Sequence, residues 1–320
     1  MAARSSPDTL AERDRKVEVD GRELRLTNLD KVLYPKTGFT KGEMIDYYAR
    51  VAPVLIPHLR GRAVTLRRFP EGVEDLEAAF FEKRCPKHRP PWMKTVTVSA
   101  GPRAGEIAFC TVGDLPSLIW LAQLATIELH PSLSLARRPE RPTVLAFDLD
   151  PGPPADVVDC CRIALRLREM FGHFDLQCFP KTTGSKGLQV YLPLNARADY
   201  DETKPFAKAM AQFLEKQTGQ VVSKMSKEVR KGKVFVDWSQ NHPRKTTIAV
   251  YSMRARERPT VSTPVSWEEV ERCADRDDKD LLVFETVDVL ERVKKQGDLF
   301  APVLELRQRL PSFAKLSAAG

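Results

Sequence analysis

The chain has 320 residues, of which 42% are hydrophobic and 29% charged, a globular balance that excludes general disorder. Its 51 Lys and Arg residues against 43 Asp and Glu give a net charge of +8, which favours an anionic partner, nucleic acid above all. The polar N-terminus excludes a signal peptide, and no run approaches the ~20 apolar residues of a membrane helix, so we expect a soluble, cytoplasmic protein.

The first half of the chain predicts a mixture of strands and helices after a flexible tail over residues 1–20. Thr40 is placed to cap a helix that Pro53 bends, and the basic, Pro-rich stretch 134–143 is the best candidate for a boundary. We predict strands at 23–28, 63–69 and 106–112, and helices at 42–59 and 115–129.

The second half alternates strands and helices, which predicts an α/β domain with a mixed sheet. An apolar strand opens it at 143–150. We predict further strands at 176–182, 187–194, 233–239 and 247–253, and helices at 155–171, 203–217 and 284–309.

Three aspartates at strand ends are the candidate metal ligands. Asp148 and Asp150 follow the apolar run VLAF and, being two residues apart on a strand, project from one face. Asp237 ends the apolar strand KVFVD. Three such carboxylates can hold two divalent cations ~4 Å apart, as phosphoryl and nucleotidyl transfer require.

Two other interpretations of the aspartates stay open. An aspartate often begins a turn at a strand end, which explains one carboxylate better than two in phase. Haloacid-dehalogenase-type phosphatases also carry Asp-x-Asp after an apolar strand, but their motif usually continues with Thr or Val, whereas Pro151 and Gly152 follow here.

Two stretches offer groups that bind phosphate. The turn TGSKG at 183–187 supplies backbone N–H groups, hydroxyls and an ammonium, although an ordinary hairpin turn has the same composition. Arg254, Arg256 and Arg258 recur at period two and suit a triphosphate or a DNA backbone. A solvated charged face explains the same arginines.

The aromatic and cysteine residues have conservative interpretations. Phe80 and Phe81 lie among cations, which suits base stacking, but paired phenylalanines more often belong to a core, and His130 is more often structural. The six cysteines contain no CxxC pair, which favours reduced thiols, and Cys85-x-x-His88 lacks a second pair of zinc ligands.

Taken together, these motifs resemble the archaeo-eukaryotic primase superfamily, specifically the polymerase domain of bacterial end-joining ligase D and its stand-alone primase-polymerase relatives. The motifs fall in the family's order over nearly the whole chain after the tail. They are LTNLDKVLYP (26–35), AFFEKRCPKH (79–88), IELHPS (127–132), FDLDPG (147–152), TTGSKGLQVYLPL (182–194), VFVDWSQN (234–241) and YSMRARERPTVSTPVSW (251–267).

The resemblance implies a fold, an activity and partners. The fold is an α/β (α+β) primase-type core with mixed, largely antiparallel sheets flanked by helices, fused to an N-terminal α/β subdomain. The activity is template-directed, Mn²⁺- or Mg²⁺-dependent nucleotide addition, preferring ribonucleotides, at gaps or breaks with a 5′-phosphate. The partners are gapped or broken duplex DNA, NTPs or dNTPs, and a DNA ligase or Ku, in the bacterial nucleoid rather than at a membrane.

The resemblance also assigns site residues and intervals. We expect a tail at 1–20, an N-terminal part with 5′-phosphate and DNA-binding elements at 21–140, the catalytic core at 141–311 and a C-terminal tail at 312–320. The catalytic and metal residues are Asp148, Asp150 and Asp237. The nucleotide-binding residues are His130, Thr183, Ser185, Lys186, Gln189, Gln240 and Arg254. The residues that bind the 5′-phosphate and DNA are Asn28, Lys31, Lys41, Arg67, Arg68, Phe80, Phe81, Lys83, Arg230 and Arg256.

Two positions depart from the family's pattern. Gln189 stands where His is usual and cannot carry a positive charge, so nucleotide affinity or sugar preference differs. Ser132 stands where Trp is usual, a loss of packing rather than of chemistry. Because neither touches the carboxylates, we expect an active enzyme. Gap repair by a stand-alone polymerase is the leading hypothesis, and an end-joining module or a catalytically weak DNA-end-binding protein is the alternative.

Overall fold

Two five-stranded sheets and two hydrophobic cores organise residues 14–99, 101, 105–226 and 228–311, which the computed structural model describes. The strands are β1 (Asp14–Val19), β2 (Arg22–Thr27), β3 (Val32–Tyr34), β4 (Phe39–Thr40), β5 (Val64–Arg68), β6 (Phe80–Glu82), β7 (Thr95–Ser99), β8 (Glu106–Cys110), β9 (Thr126–Pro131), β10 (Val144–Pro151), β11 (Phe179–Thr182), β12 (Leu188–Pro193), β13 (Val221–Val222) and β14 (Val234–Asp237). The α-helices are α1 (Lys41–Leu59), α2 (Leu115–Gln123), α3 (Val157–Gly172), α4 (Tyr200–Gln217), α5 (Trp267–Arg276), α6 (Thr286–Gln296) and α7 (Pro302–Glu305). In this part of the chain, every helix is too short or too polar to span a bilayer.

The expected mixed, largely antiparallel α/β architecture is confirmed. One sheet has the order β11-β12-β10-β14-β13, in which only β13 and β14 pair in parallel. The other has the order β6-β5-β8-β7, with β9 also paired to β5, and all its described pairs are antiparallel. Strand β10 therefore lies at the centre of the first sheet.

Strand β10 separates the two cores, because its side chains alternate between them. Val144 and Ala146 pack into the core that contains α1 and α2, whereas Leu145 and Phe147 pack into the core formed with α3 and α4. Asp148 continues the Val144 and Ala146 face. The apolar run thus anchors the strand on both sides and leaves its carboxylates on the face between the two sheets.

Helix starts agree with their sequence signals. Thr40 caps α1 in a capping box with Glu43, as the sequence predicts. Asp156 caps α3 in the same way with Asp159. An exposed polar side chain at the first turn is a local signal, so these boundaries are readable without tertiary information.

The predicted helix at 115–129 is wrong over its second half. The helix α2 ends at Gln123, and the following residues form β9. Ala125 has a φ of +56°, a left-handed conformation that ends the helix, and β9 then pairs with β5. An apolar run without a Gly or Pro concealed the change from helix to strand.

Two other predicted elements differ. Residues 247–253 form no strand; Met253 makes an isolated bridge to Val261, and Thr246, just before them, makes one to Ser132. The predicted helix at 284–309 is two helices, because Gly297 has a φ of +68° and ends α6.

The tail and the thiols also need correction. Residues Asp14–Val19 of the expected tail form β1, which pairs with β2 along its whole length, and Asp20 begins the turn between them; residues 1–13 and 312–320 lie outside the described residues. Cys85 and Cys110 form a disulfide rather than free thiols. The Cys85 amide donates to the carbonyl of Ala108 at 2.8 Å, so tertiary pairing that spacing does not reveal brings the two cysteines together.

Candidate active site

The three predicted carboxylates lie on one face of two neighbouring strands. Asp148 of β10 is the register partner of Asp237 at the end of β14, and Asp150 lies opposite Phe235 two residues further on. Directly opposed residues of an antiparallel pair have Cβ atoms about 5 Å apart on the same face. The sheet thus brings together two carboxylates that are remote along the chain, with a third beside them.

This group is electrostatically unbalanced. Burial above all, together with the neighbouring carboxylates of Asp237 and Asp150, raises the pKa of Asp148 to about 6, although a hydrogen bond from Gln189 and the charge of Lys181 oppose the shift. Repulsion of this kind is relieved when a cation lies between the carboxylates.

The chemistry of these donors fits a hard divalent cation, although the side chains also have protein partners. Asp237 accepts hydrogen bonds from the Ser239 amide at 2.9 Å and from Gln240 Nε2 at 2.8 Å. Asp150 Oδ2 lies 3.5 Å from an Arg230 nitrogen. Among the described residues, no three His, Cys, Asp or Glu side chains stand close enough to share one ion as they are oriented. Carboxylate oxygens suit hard divalent cations such as Mg²⁺ and Mn²⁺.

Two features hold this strand end in place. Asn241, fully buried, accepts from the Ala146 amide at 2.9 Å and donates to the Ala146 carbonyl at 2.8 Å, so it ties β10 to the residues after Asp237. A Cβ at Gly152 would lie 1.9 Å from the Arg230 carbonyl oxygen. Only glycine therefore lets the Arg230 loop approach the end of β10.

The turn 183–187 joins β11 to β12 beside this site. Thr183 Oγ1 accepts from the amides of Ser185 at 3.3 Å and Gly187 at 3.2 Å, and Arg256 hydrogen-bonds Ser185 Oγ. Lys186 is exposed. The turn is a hairpin, as the conservative interpretation had it, and Arg256 lies beside its Ser185 hydroxyl.

A buried glutamate that sequence reasoning missed organises the cations next to this turn. Glu128 Oε1 accepts from Arg254 Nε at 3.0 Å, and Oε2 lies 3.0 Å from His130 Nε2 and 3.3 Å from an Arg67 nitrogen. Burial alone would raise the pKa of Glu128, but these partners lower it far below its ordinary value. Arg254 also donates to the Thr183 carbonyl at 2.8 Å. The Glu128 cluster thus links three predicted site residues to the turn.

Glu128 gave a signal that the helix prediction concealed. Glu128 and His130 are two residues apart, so on a strand they share a face, whereas residues 115–129 were assigned to a buried helix. Lys181, buried with Nζ 2.7 Å from Ser262 Oγ, was also missed. A fully buried lysine has no signature in a strand sequence.

Phe80 and Phe81 lie on the surface, so the prediction of core burial from residue type is wrong. They are 41% and 59% exposed on strand β6. Arg68 and Arg67, their register partners on β5, lie 5.2 Å from the ring centroids of Phe80 and Phe81 respectively. The Phe81 ring also lies 5.5 Å from that of His130. Exposed aromatics backed by arginines form a surface on which a base can stack.

The predicted phosphate-binding residues form a separate cluster at the start of α1. The Lys31 amide donates to the Asn28 carbonyl at 3.1 Å, and the Lys41 amide donates to the Lys31 carbonyl at 2.8 Å. Lys31 Nζ is paired with Glu71 at 2.8 Å. Lys41 is the first residue of a 19-residue helix, where its side chain is buried and Nζ donates to the Thr27 carbonyl at 2.8 Å, so the partly exposed Lys31 is the more accessible of the two cations.

The other cationic candidates are dispersed. Lys83 is exposed just after β6, and Arg230 lies over the Phe235 ring at 3.7 Å. Arg258, expected to share a face with Arg254 and Arg256, pairs with Glu285 instead. The period-two pattern therefore holds for two of the three arginines.

Comparison with known proteins identifies relatives over most of the chain. The profile of the family described as "LigD, primase-polymerase domain" matches residues 40–300. The multifunctional non-homologous end joining protein LigD of Mycolicibacterium smegmatis is 40% identical over 283 residues, which cover 88% of this chain and 36% of that protein. The bifunctional LigD of Bacillus subtilis is 31% identical over 86% of this chain and 43% of that protein.

A solved structure has the same fold. The polymerase domain of Mycobacterium tuberculosis ligase D, in complex with DNA, superposes with a TM-score of 0.80 at 39% identity. The match covers 89% of this chain and 99% of that domain. The chain spans less than half the length of the curated relatives it matches, and the matched part corresponds to one domain of them.

Proposed function

Because this chain belongs to the LigD primase-polymerase domain family, we propose that it is a template-directed nucleotidyltransferase that fills short, 5′-phosphorylated gaps in DNA, with ribonucleotides preferred. The observation that carries the proposal is the pairing of Asp148 with Asp237 across neighbouring strands, with Asp150 beside them. In this reaction a primer 3′-hydroxyl attacks the α-phosphate of the incoming nucleotide, and pyrophosphate leaves.

The three carboxylates would hold the divalent cations, Mn²⁺ or Mg²⁺. Bound there, the cations would supply Lewis-acid stabilisation of the negative charge on the reacting oxygens. The chain's own contribution is to hold the oxygen donors on adjacent strands and to keep β10 in position through Asn241. Positioning and electrostatics account for most of the acceleration in such transfers.

The Glu128 cluster and the turn 183–187 would bind the nucleotide's triphosphate. Arg254 and His130 are held by Glu128, and the hydroxyls of Thr183 and Ser185 lie on the adjacent turn with Lys186. A cation already oriented by a buried carboxylate loses little rotamer freedom when phosphate binds, which favours affinity. Gln189, hydrogen-bonded to Asp148, would contact the nucleotide without adding charge.

The DNA would lie over the exposed aromatics and end at the lysine cluster. Phe80 and Phe81, with Arg67 and Arg68 behind them, would stack on a base. Asn28, Lys31 and Lys41 would receive the downstream 5′-phosphate, which would replace Glu71 as the partner of Lys31. Lys83, Arg230 and Arg256 would contact backbone phosphates.

The relatives' names support a second setting for the same chemistry. These relatives are named for non-homologous end joining, so nucleotide addition at double-strand breaks, with a DNA ligase or Ku as partner, is the second candidate. The three carboxylates in one group argue against a DNA-end-binding protein whose synthesis is vestigial.

Primer extension on gapped duplexes tests the proposal. Substrates with and without the 5′-phosphate are extended with NTPs or dNTPs in the presence of Mn²⁺. We expect addition of nucleotides complementary to the template, faster at phosphorylated gaps and with ribonucleotides. Absence of any addition on every substrate would refute the proposal.

A further inference from the structure

An arginine-lined cleft lies at the end of β10 opposite the carboxylates. It has a volume of about 1120 Å³, and Thr143, the residue before β10, is in its wall. Six arginines line the cleft: Arg137, Arg138, Arg141, Arg197, Arg307 and Arg309. One carboxylate, Glu305, lines it as well, so the wall carries a net charge of 6 − 1 = +5.

The six arginines are exposed and held without acidic partners. Each is exposed to solvent, and within the described part of the chain no carboxylate lies within ion-pairing distance of any of them. Like charges gathered in one cleft repel one another, which disfavours the arrangement unless an anion binds. By contrast, Arg254 and Arg67 share the buried carboxylate of Glu128 as an acidic partner.

Hydrogen bonds hold the loop before β10, which carries three of these arginines. In the loop before β10, the Arg138 amide donates to the Leu135 carbonyl at 2.9 Å, and the Arg141 amide donates to the Arg138 carbonyl at 3.0 Å. Beneath this loop, buried Arg62 donates to Thr143 Oγ1 at 2.7 Å. The guanidinium groups therefore project from fixed turns.

The opposite wall is a C-terminal segment tied down by one glutamine. Gln308 donates through Nε2 to the carbonyls of Gln177 and Pro193, both at 2.9 Å, and its amide donates to the Leu194 carbonyl at 2.9 Å. In an extended segment, residues on either side of Gln308 point the other way, so Arg307 and Arg309 face the cleft together.

We propose that this cleft is a second nucleic-acid site, which binds the phosphate backbone of a duplex arm that extends from the active site toward the Thr143 end of the sheet. The proposal rests on the proposed function for the choice of DNA as the polyanion. Guanidinium groups match phosphate oxygens with two parallel hydrogen bonds, and a row of them follows a backbone. Thr143 is five residues from Asp148, about 17 Å along a strand, a distance that about five base pairs span.

Removing the arginines should weaken binding to long arms only. We would compare Arg137→Gln/Arg138→Gln/Arg141→Gln with the unchanged chain on gapped duplexes whose hairpin-closed arms are about five or about twenty base pairs long. We expect at least about a tenfold loss of affinity for the long-armed substrate, little change for the short-armed one, and a salt-dependence slope lower by about two to three units. Extension at saturating DNA should not change.

A matched control separates the cleft from net charge. Arg166→Gln/Arg272→Gln/Arg276→Gln removes three exposed arginines outside the cleft and should keep the long-arm affinity. Equal losses in both triple variants, or no loss in the cleft variant, would overturn the proposal. So would a cleft variant that loses binding to polyglutamate while keeping its affinity for DNA, because the occupant would then be an acidic polypeptide.

A second variant guards against misfolding. Arg307→Gln/Arg309→Gln changes the opposite wall and leaves the Gln308 contacts intact. It should give the same loss on long arms at an unchanged melting temperature; retained long-arm affinity in this correctly folded variant would overturn the proposal. If the unchanged chain extends no primer but still prefers long arms, the proposed function fails and the DNA site stands.

Discussion

Two groups of carboxylates in this molecule differ in how their charge is balanced. Glu128, on β9, and Asp298, after α6, each accept hydrogen bonds from cationic, imidazole or hydroxyl groups, and the pKa of each is lowered although burial opposes the shift. Asp148, on β10, faces two other carboxylates, and its pKa is raised to about 6. Glu128 and Asp298 are therefore stabilising elements of the fold, whereas Asp148 is poised for a ligand.

Removing the carboxylate of Asp148 should have the largest effect, and the effect should be on activity. Asp148→Asn should reduce nucleotide addition on a gapped duplex by about a thousandfold or more, because a cation ligand is lost. It should not lower the melting temperature at pH 8 without divalent cations. An acid whose folded pKa is raised destabilises the fold increasingly between its unfolded pKa of about 4 and its folded pKa of about 6, and asparagine removes the full penalty that is present at pH 8.

Activity assays and thermal melts check both halves of that expectation. Asp275→Asn, an exposed aspartate of α5, is the control and should change neither. An Asp148→Asn variant that keeps normal extension would remove Asp148 from the catalytic group.

Replacing Glu128, whose charge is balanced by its partners, should lower both the stability of the fold and the affinity for the nucleotide. Glu128→Gln should lower the free energy of unfolding by about 3 kcal/mol, because the partly buried Arg254 and Arg67 lose the counter-charge of a buried carboxylate. It should also raise KM for the nucleotide more than it changes kcat, because Arg254 and His130 lose their orientation.

Glu269→Gln tests whether stability alone explains the change. Glu269 holds Arg292 at 2.6 and 2.8 Å, remote in sequence from the proposed site residues. This control should lower stability while KM for the nucleotide stays constant. Similar KM values in the two variants would show that Glu128 does not orient the nucleotide site.

Lys31 lies between these two cases, because it is paired with Glu71 in the structure and the proposed 5′-phosphate would replace that partner. Lys31→Ala should reduce the preference for phosphorylated over hydroxyl gaps by about tenfold, the value of one charged hydrogen bond. Lys36→Ala, which removes a neighbouring exposed lysine paired with Glu257, should leave the preference intact. Affinities for phosphorylated and hydroxyl gaps, measured for each variant, test this prediction. An unchanged preference in Lys31→Ala would contradict the proposed 5′-phosphate pocket.

The smallest expected effect is on acid stability. Asp298 accepts from His58 at 2.8 Å and Tyr251 at 2.7 Å, which hold its folded pKa below the ordinary value against the effect of burial. Its contribution is therefore present above about pH 4 and lost as the pH falls through the lowered folded pKa. Asp298→Asn should cost about 1 to 2 kcal/mol at pH 7 and flatten the acid limb of stability against pH. If the free energy of unfolding falls equally steeply with decreasing pH in the unchanged chain and in Asp298→Asn, this prediction is wrong.

The sequence predicts the parts of this molecule that depend on local chemistry. The capping box at Thr40 and the alternation along β10 are local, so the helix start and the common face of Asp148 and Asp150 could be predicted. The pairing of Asp148 with Asp237 needed strand order and was an expectation until the register was known.

The missed features depend on tertiary contacts. The left-handed backbone at Ala125 ends α2 without a Gly or Pro signal, and this concealed β9 and Glu128. The exposure of Phe80 and Phe81 follows from the pairing of β6 with β5, which turns their rings outward beside arginines. The Cys85–Cys110 disulfide likewise joins segments that only the folded chain brings together.

Calorimetric titration with Mn²⁺ tests the cation site most directly, using the unchanged chain and Asp237→Asn at equal ionic strength. The asparagine keeps the oxygen that accepts from Ser239, so the strand end stays folded. Shared coordination across β10 and β14 predicts that Mn²⁺ binds the unchanged chain at least about tenfold more tightly than the variant. Equal Mn²⁺ affinities for the two proteins would show that Asp237 and Asp148 do not hold a common ion, and would contradict the proposed site.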